Sequence, residues 1–188
     1  MHFRTLGVSI LALGLAACGG QDEPAPVAST PAPEEVVETP SNPQNMSWEG
    51  AALVGALSAT EQVTVTPGAA AVTLVNTNIG GMSSGGETSG ASIEYTGPTL
   101  GSLDGQTVTV SFSARASGGQ ANRVAVAYST NAAGNSGWER FDLTSEFAEY
   151  SFDYTIPDIV DPASDFVGFW PAGDTVVELE SVSVAVAE

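Results

Sequence analysis

Carboxylates, arginines and aromatic rings are the side chains with which this chain could do chemistry. Its 188 residues hold 22 Asp and Glu against four basic residues, Arg4, Arg115, Arg123 and Arg140, so there is no lysine and the formal charge is -18. The one histidine is His2 and the one cysteine is Cys18. Beyond residue 18 there is thus no imidazole, amine or thiol. That excludes Ser-His-Asp and Cys-His nucleophiles, Schiff-base lysines, zinc sites built on His or Cys, and an intramolecular disulfide. So few cations in so acidic a chain also exclude a phosphate-tracking surface, and no nucleic-acid partner is expected. Glycoside hydrolysis needs only two carboxylates, about 5–5.5 Å or 6.5–9.5 Å apart, but no pair stands out among so many. The expectation is a protein that is not an enzyme, with no cofactor required for its function.

Carbohydrate binding asks for less. An aromatic ring meets the C–H face of a pyranose while amide, carboxylate or guanidinium groups bond its hydroxyls. Trp138 is out of phase with Phe141 and Leu143, and Trp170 alternates with Phe169. If Phe141, Leu143 and Phe169 fill the core, both tryptophans face outward. Asn131 opens the polar loop that leads to Trp138, and Arg115 and Arg140 occupy the polar sides of their segments. Trp138, Trp170, Arg115 and Asn131 are therefore the candidate ligand-binding set. The alternatives are that the indoles cover a sandwich edge and that the arginines pair with the abundant acids. A neutral or basic glycan is expected, because the net charge repels an acidic one unless calcium bridges it. Phe112, Tyr150, Phe152 and Tyr154 stand at core spacing instead.

The elements that must hold these residues follow from an apolar period of two. Val108, Val110, Phe112, Ala114 and Ala116 alternate with Thr107, Thr109, Ser111, Ser113 and Arg115, and Tyr150, Phe152, Tyr154 and Ile156 repeat the pattern before Pro157 stops it. Seven further strands are expected over 62–66, 71–76, 92–95, 123–129, 139–143, 166–170 and 176–186, separated by Gly, Pro, Asn and Asp turns. The phase slips between Val177/Leu179 and Val182/Val184/Val186, which predicts a bulge near Glu180-Ser181. No helical stripe is expected after the leader. Nine short strands at this spacing predict an all-β fold, a two-sheet β-sandwich over residues 47–188.

Before it come two other regions. Residues 1–17 read as a signal peptide: a short n-region with Arg4, then an apolar run of 12 residues from Leu6 to Ala17, too short for the ~20 that span a bilayer. Residues 18–46 read as a flexible tether with Pro24, Pro26, Pro31, Pro33, Pro40 and Pro43 among acids, a composition that cannot build a core. Extended as polyproline II at about 3.1 Å per residue, positions 19–45 of it reach about 80 Å.

Two resemblances follow. Leu15-Ala16-Ala17-Cys18 resembles the lipobox of bacterial lipoproteins. That likeness implies acylation of Cys18, a lipid bilayer as partner and, with Gly19 next, the outer membrane of the cell envelope. The run Leu103-Asp104-Gly105-Gln106-Thr107-Val108-Thr109-Val110-Ser111-Phe112-Ser113-Ala114, then Trp138 to Leu143, Phe147 to Pro157 and the closing Val182-Ser183-Val184, resembles the jelly-roll carbohydrate-binding modules of the galactose-binding-like group. This second resemblance implies a jelly roll, a polysaccharide partner and a structural calcium whose matching ligands are Glu49 and Glu180. The other reading of the same scaffold is a structural or adaptor lipoprotein that binds another envelope protein.

Overall fold

Alternating side chains become eleven strands and one short helix: β1 (Met46–Glu49), α1 (Gly50–Ala56), β2 (Leu57–Ser58), β3 (Val63–Pro67), β4 (Val72–Asn76), β5 (Ala91–Tyr95), β6 (Thr107–Gly118), β7 (Arg123–Ser129), β8 (Glu139–Asp142), β9 (Ala148–Thr155), β10 (Asp165–Pro171) and β11 (Val176–Val186). The structure is a computed structural model that describes residues 45–77, 90–95, 103–130, 133–158 and 164–187. The expected signal peptide, Cys18, nearly all of the tether, and Asn131 lie outside the described residues. Contacts divide the chain into units Met1–Glu38 and Thr39–Glu188, and everything described belongs to the second.

All nine expected strands are present with ends within two residues of expectation. The expectation of no helix is corrected by α1, and β1 and β2 were not foreseen either. Helix α1 has seven residues, no side-chain cap and one buried residue, Leu53. A single apolar anchor makes no periodic stripe, so tertiary packing of Leu53, 1 % exposed, holds the helix.

The strands form two antiparallel sheets. The first has the order β3-β4-β11-β6-β9, with β1 also paired to β11; the second has the order β2-β5-β10-β7-β8. Strand β11 is the spine of the first sheet. One edge pairs with β4 through Val176 to Leu179 and with β1 through Ser181 to Val184, while β6 runs along the other. The register steps from Leu179 opposite Ala114 to Ser181 opposite Ser113, leaving Glu180 as the extra residue of the expected bulge.

Between the sheets, Val108, Val110, Phe112, Val177, Leu179, Val182 and Val184 face Val124, Val126, Tyr128, Val167 and Phe169, and all are buried. Phe112 sits at the centre, edge-on to Phe141 at 5.1 Å and Phe169 at 5.7 Å and stacked on Tyr150 at 5.3 Å. Each such ring pair contributes about 0.5–1.5 kcal/mol beyond its buried area. Tyr150, Phe152 and Tyr154 pack against this core as expected. Asn76 donates its side-chain amide to the carbonyl of Pro171 at 3.1 Å, a buried polar link between the sheets.

Candidate functional site

The outward face of the second sheet is made by an alternation in size. On β7, Val124, Val126 and Tyr128 point to the core, so Ala125, Ala127 and Ser129 point out; on β10, Gly168 and Trp170 alternate with the inward Val167 and Phe169. Ser92, Gly168 and Ala127 form one cross-strand row, and Trp170, Ala125 and Arg140 the next. Small as they are, Ser92, Ala125, Ala127, Ser129 and Gly168 are all buried, so this face is covered rather than open. Gly90 closes one end, where a Cβ would stand 2.3 Å from the carbonyl oxygen of Phe169 and 3.3 Å from Cη2 of Trp138. Only glycine permits that approach. The indole of Trp138 therefore reaches from the start of β8 across to the start of β5. It meets Trp170 edge-to-face, centroids 6.2 Å apart at 68°.

Both tryptophans are thus on one outward face, opposite Phe141, Leu143 and Phe169, but only Trp138 has area to offer. Trp170 is 2 % exposed, which corrects its expected role as a binding platform. It stands on a central strand with the Trp138 ring edge against it, so it serves as the floor on which the half-buried Trp138 rests.

Arg115 is corrected too. It lies on the outward side of β6 in the first sheet, facing away from the tryptophans. Its Nε and Nη2 donate to Oε2 of Glu178 at 2.8 and 2.6 Å, and its guanidinium lies 4.5 Å from the Phe147 ring centroid. Alternation shows which residues leave the core, but not through which sheet. The arginine on the tryptophan face is Arg140, exposed and without an ion-pair partner among the described residues. Its neighbour Arg123 is paired with Asp142 at 2.6 Å. The sequence carried a signal for this face in the Val-Ala-Val-Ala alternation of β7, because outward alanines imply a cover that solvent-facing Ser or Thr do not.

Glu49 and Glu180 do meet, on the far side of the molecule. They line an open groove of about 420 Å³ with Gly50, Ala70, Glu149 and Ser181. The Ser113 hydroxyl donates to Glu180 at 2.9 Å. Calcium takes six to eight oxygens. Among the described residues no three acidic, His or Cys side chains group closely enough to hold a metal ion.

One carboxylate is distinct electrostatically. Asp165, at the core end of β10, is 2 % exposed and accepts a hydrogen bond from the Tyr128 hydroxyl. Burial raises its pKa above the ordinary carboxylate range; the Tyr128 hydrogen bond opposes that rise, and the nearby Asp104 charge adds to it. Oδ1 of Asp104 is itself buried without a hydrogen-bond partner among the described residues. Asp174, on the β10–β11 turn, is shifted the other way, its pKa lowered by the backbone N–H of Gln120, which donates at 2.9 Å.

Among solved structures, the chain is similar to a xylan-binding domain from carbohydrate-binding module family 22, with a TM-score of 0.54, 14 % identity and coverage of 76 % of this chain and 94 % of that one. It is similar also to the C-terminal family 22 module of Clostridium thermocellum Xyn10B, at 0.53, 14 %, 76 % and 93 %. A third is the CBM22-1 xylan-binding domain of Paenibacillus barcinonensis Xyn10C, at 0.50, 11 %, 76 % and 94 %. No family model and no curated protein sequence matches the chain. The likeness lies in the fold: the two antiparallel sheets are the jelly-roll β-sandwich of carbohydrate-binding modules.

Proposed function

We propose that the sandwich is a non-catalytic glycan-binding module, with Trp138 as its stacking surface, held at the bacterial outer membrane by acylation of Cys18. The observation that carries the binding role is the half-buried indole of Trp138 on the outward side of the second sheet, set edge-to-face against Trp170 and reaching Gly90. A half-exposed indole with a rigid floor is preorganised for the C–H face of a pyranose, so little side-chain entropy is lost on binding. Asn135, whose Oδ1 accepts from the Gly137 N–H at 2.9 Å, keeps its amide donors for sugar hydroxyls. The fold shared with xylan-binding modules supports the class of ligand. The lack of histidine and lysine beyond the leader supports binding over catalysis.

Affinity electrophoresis of the Cys18→Ser chain through gels containing xylan, β-glucan or mannan tests the binding role. Retardation that Trp138→Ala abolishes is expected. Unretarded migration in every gel would overturn the reading in favour of an adaptor that binds another envelope protein. Membrane fractionation tests the anchor: Cys18→Ser should move the protein to the soluble fraction, and undiminished membrane retention would exclude acylation as the attachment.

A further inference from the structure

We infer that Arg140 makes the Trp138 site select glycans that carry a carboxylate, as in uronic-acid-substituted polymers. This rests on the glycan-binding reading and goes beyond it. It also reverses the expectation from net charge, because the charge is unevenly distributed.

Outward positions of the first sheet hold Glu49, Glu149, Asp153, Glu178 and Glu180 with only Arg115 among them, and Arg115 is already bonded to Glu178. Outward positions of the second sheet hold Arg123, Arg140, Asp142 and Glu94, two cations with two acids. Sheets stack about 10 Å apart, and the screening length at physiological salt is about 8 Å. The acids of the far face therefore contribute little potential at Trp138. An anionic ligand approaching the indole meets a face that is locally balanced.

Within that balance the three arginines of the sandwich differ. Arg115 is neutralised by Glu178 and Arg123 by Asp142, whereas Arg140 has no carboxylate partner among the described residues. Unpaired among the described residues and next to the candidate stacking ring, Arg140 keeps its guanidinium available to an external anion. Arg140 lies in β8 and Trp138 one residue before that strand begins, a separation of about 6.5–7 Å for extended backbone. That is the distance from a stacked sugar to a substituent on it or on its neighbour. The guanidinium is a planar fork that matches a carboxylate through two parallel charge-assisted hydrogen bonds, stronger than those it would make to hydroxyls.

The test compares two polymers in the same electrophoresis: xylan substituted with glucuronic acid, and that xylan after reduction of its carboxyl groups to alcohols. Binding about two- to fivefold tighter to the acidic polymer is expected, the size of a solvent-exposed ion pair. In Arg140→Gln the two affinities should converge, and in 0.5 M NaCl the wild-type preference should shrink toward one. Equal affinities in the wild type, or a preference that survives Arg140→Gln, would overturn the role of Arg140 while leaving the stacking site in place. Failure to bind either polymer would overturn this inference, and the stacking site with it where β-glucan and mannan are not bound either.

Discussion

The two sheets use their outward positions in opposite ways. Across the first sheet, Ser47, Ser183, Ser111 and Ser151 line up in one row over four strands, with Thr109 and Asp153 hydrogen-bonded in the next at 2.7 Å. Across the second, the equivalent rows read Ser92-Gly168-Ala127 and Trp170-Ala125-Arg140. Both sheets carry the same inward run of Val, Phe and Leu, so the difference owes nothing to the core. Outward Ser and Thr satisfy themselves with water and with one another. Outward Ala and Gly gain nothing from water, and here they make room for an indole. Polarity on an outward face therefore marks solvent, and smallness marks something lying on the sheet.

Truncation should separate the faces most sharply. Trp170→Ala removes a buried indole and the floor under Trp138, and should cost about 3–5 kcal/mol in urea unfolding, whereas Ser111→Ala should stay within about 0.5 kcal/mol. Comparable costs for the two would show that the tryptophan face is no better packed than the serine face. Gly90→Ala comes next: its Cβ would fall 2.3 Å from a backbone oxygen that cannot rotate away. A loss of about 1–3 kcal/mol is expected, with a shift in tryptophan emission as the Trp138 ring is pushed aside. Unchanged emission would mean that Gly90 does not set the position of the indole.

How much of this was legible in the sequence depends on which direction each residue type reports. Strand positions came through because Val-x-Val-x-Phe leaves little choice of period, and the bulge at Glu180 came through because the valines change phase around it. Helix α1 did not, since Leu53 alone cannot announce a period. The site was half legible. Alternation puts Trp138 and Trp170 on the side of their sheet away from Phe169, but sequence carries no measure of how far one ring covers another, and Trp170 is buried within the hydrophobic cluster. The assignment of Arg115 to the site failed for a different reason. Sheet membership is decided by pairing partners distant in sequence, and β6 and β8 fall in different sheets.

Between the two faces lies an acid that belongs to neither. The pKa of Asp165 is raised in the fold, so protonation favours the folded state: that contribution is complete below the unfolded carboxylate pKa and fades as pH climbs through the folded one. Asp165→Asn keeps an oxygen to accept from Tyr128 but cannot ionise. Melting temperatures measured from pH 4 upward should therefore show the wild type losing ground to Asp165→Asn as pH rises. Parallel curves would mean that Asp165 is solvated well enough to ionise without cost.

The smallest effect is also the one that separates the two arginines. Arg115 and Glu178 form an ion pair with side chains 34 % and 24 % exposed, and water screens such a pair enough to hold its contribution below about 1 kcal/mol. Arg115→Gln should accordingly shift the urea midpoint only slightly. Its guanidinium is already held by Glu178 and lies over Phe147, on the sheet facing away from Trp138, so retardation by either the acidic or the reduced polymer should not change. Arg140→Gln, with no ion-pair partner among the described residues, should leave the midpoint in place and alter only the choice between polymers. A weaker grip on glycan in Arg115→Gln would move the binding surface to the first sheet. There the ligand would have to settle among five acids and no tryptophan, and the argument from small outward residues would lose its object.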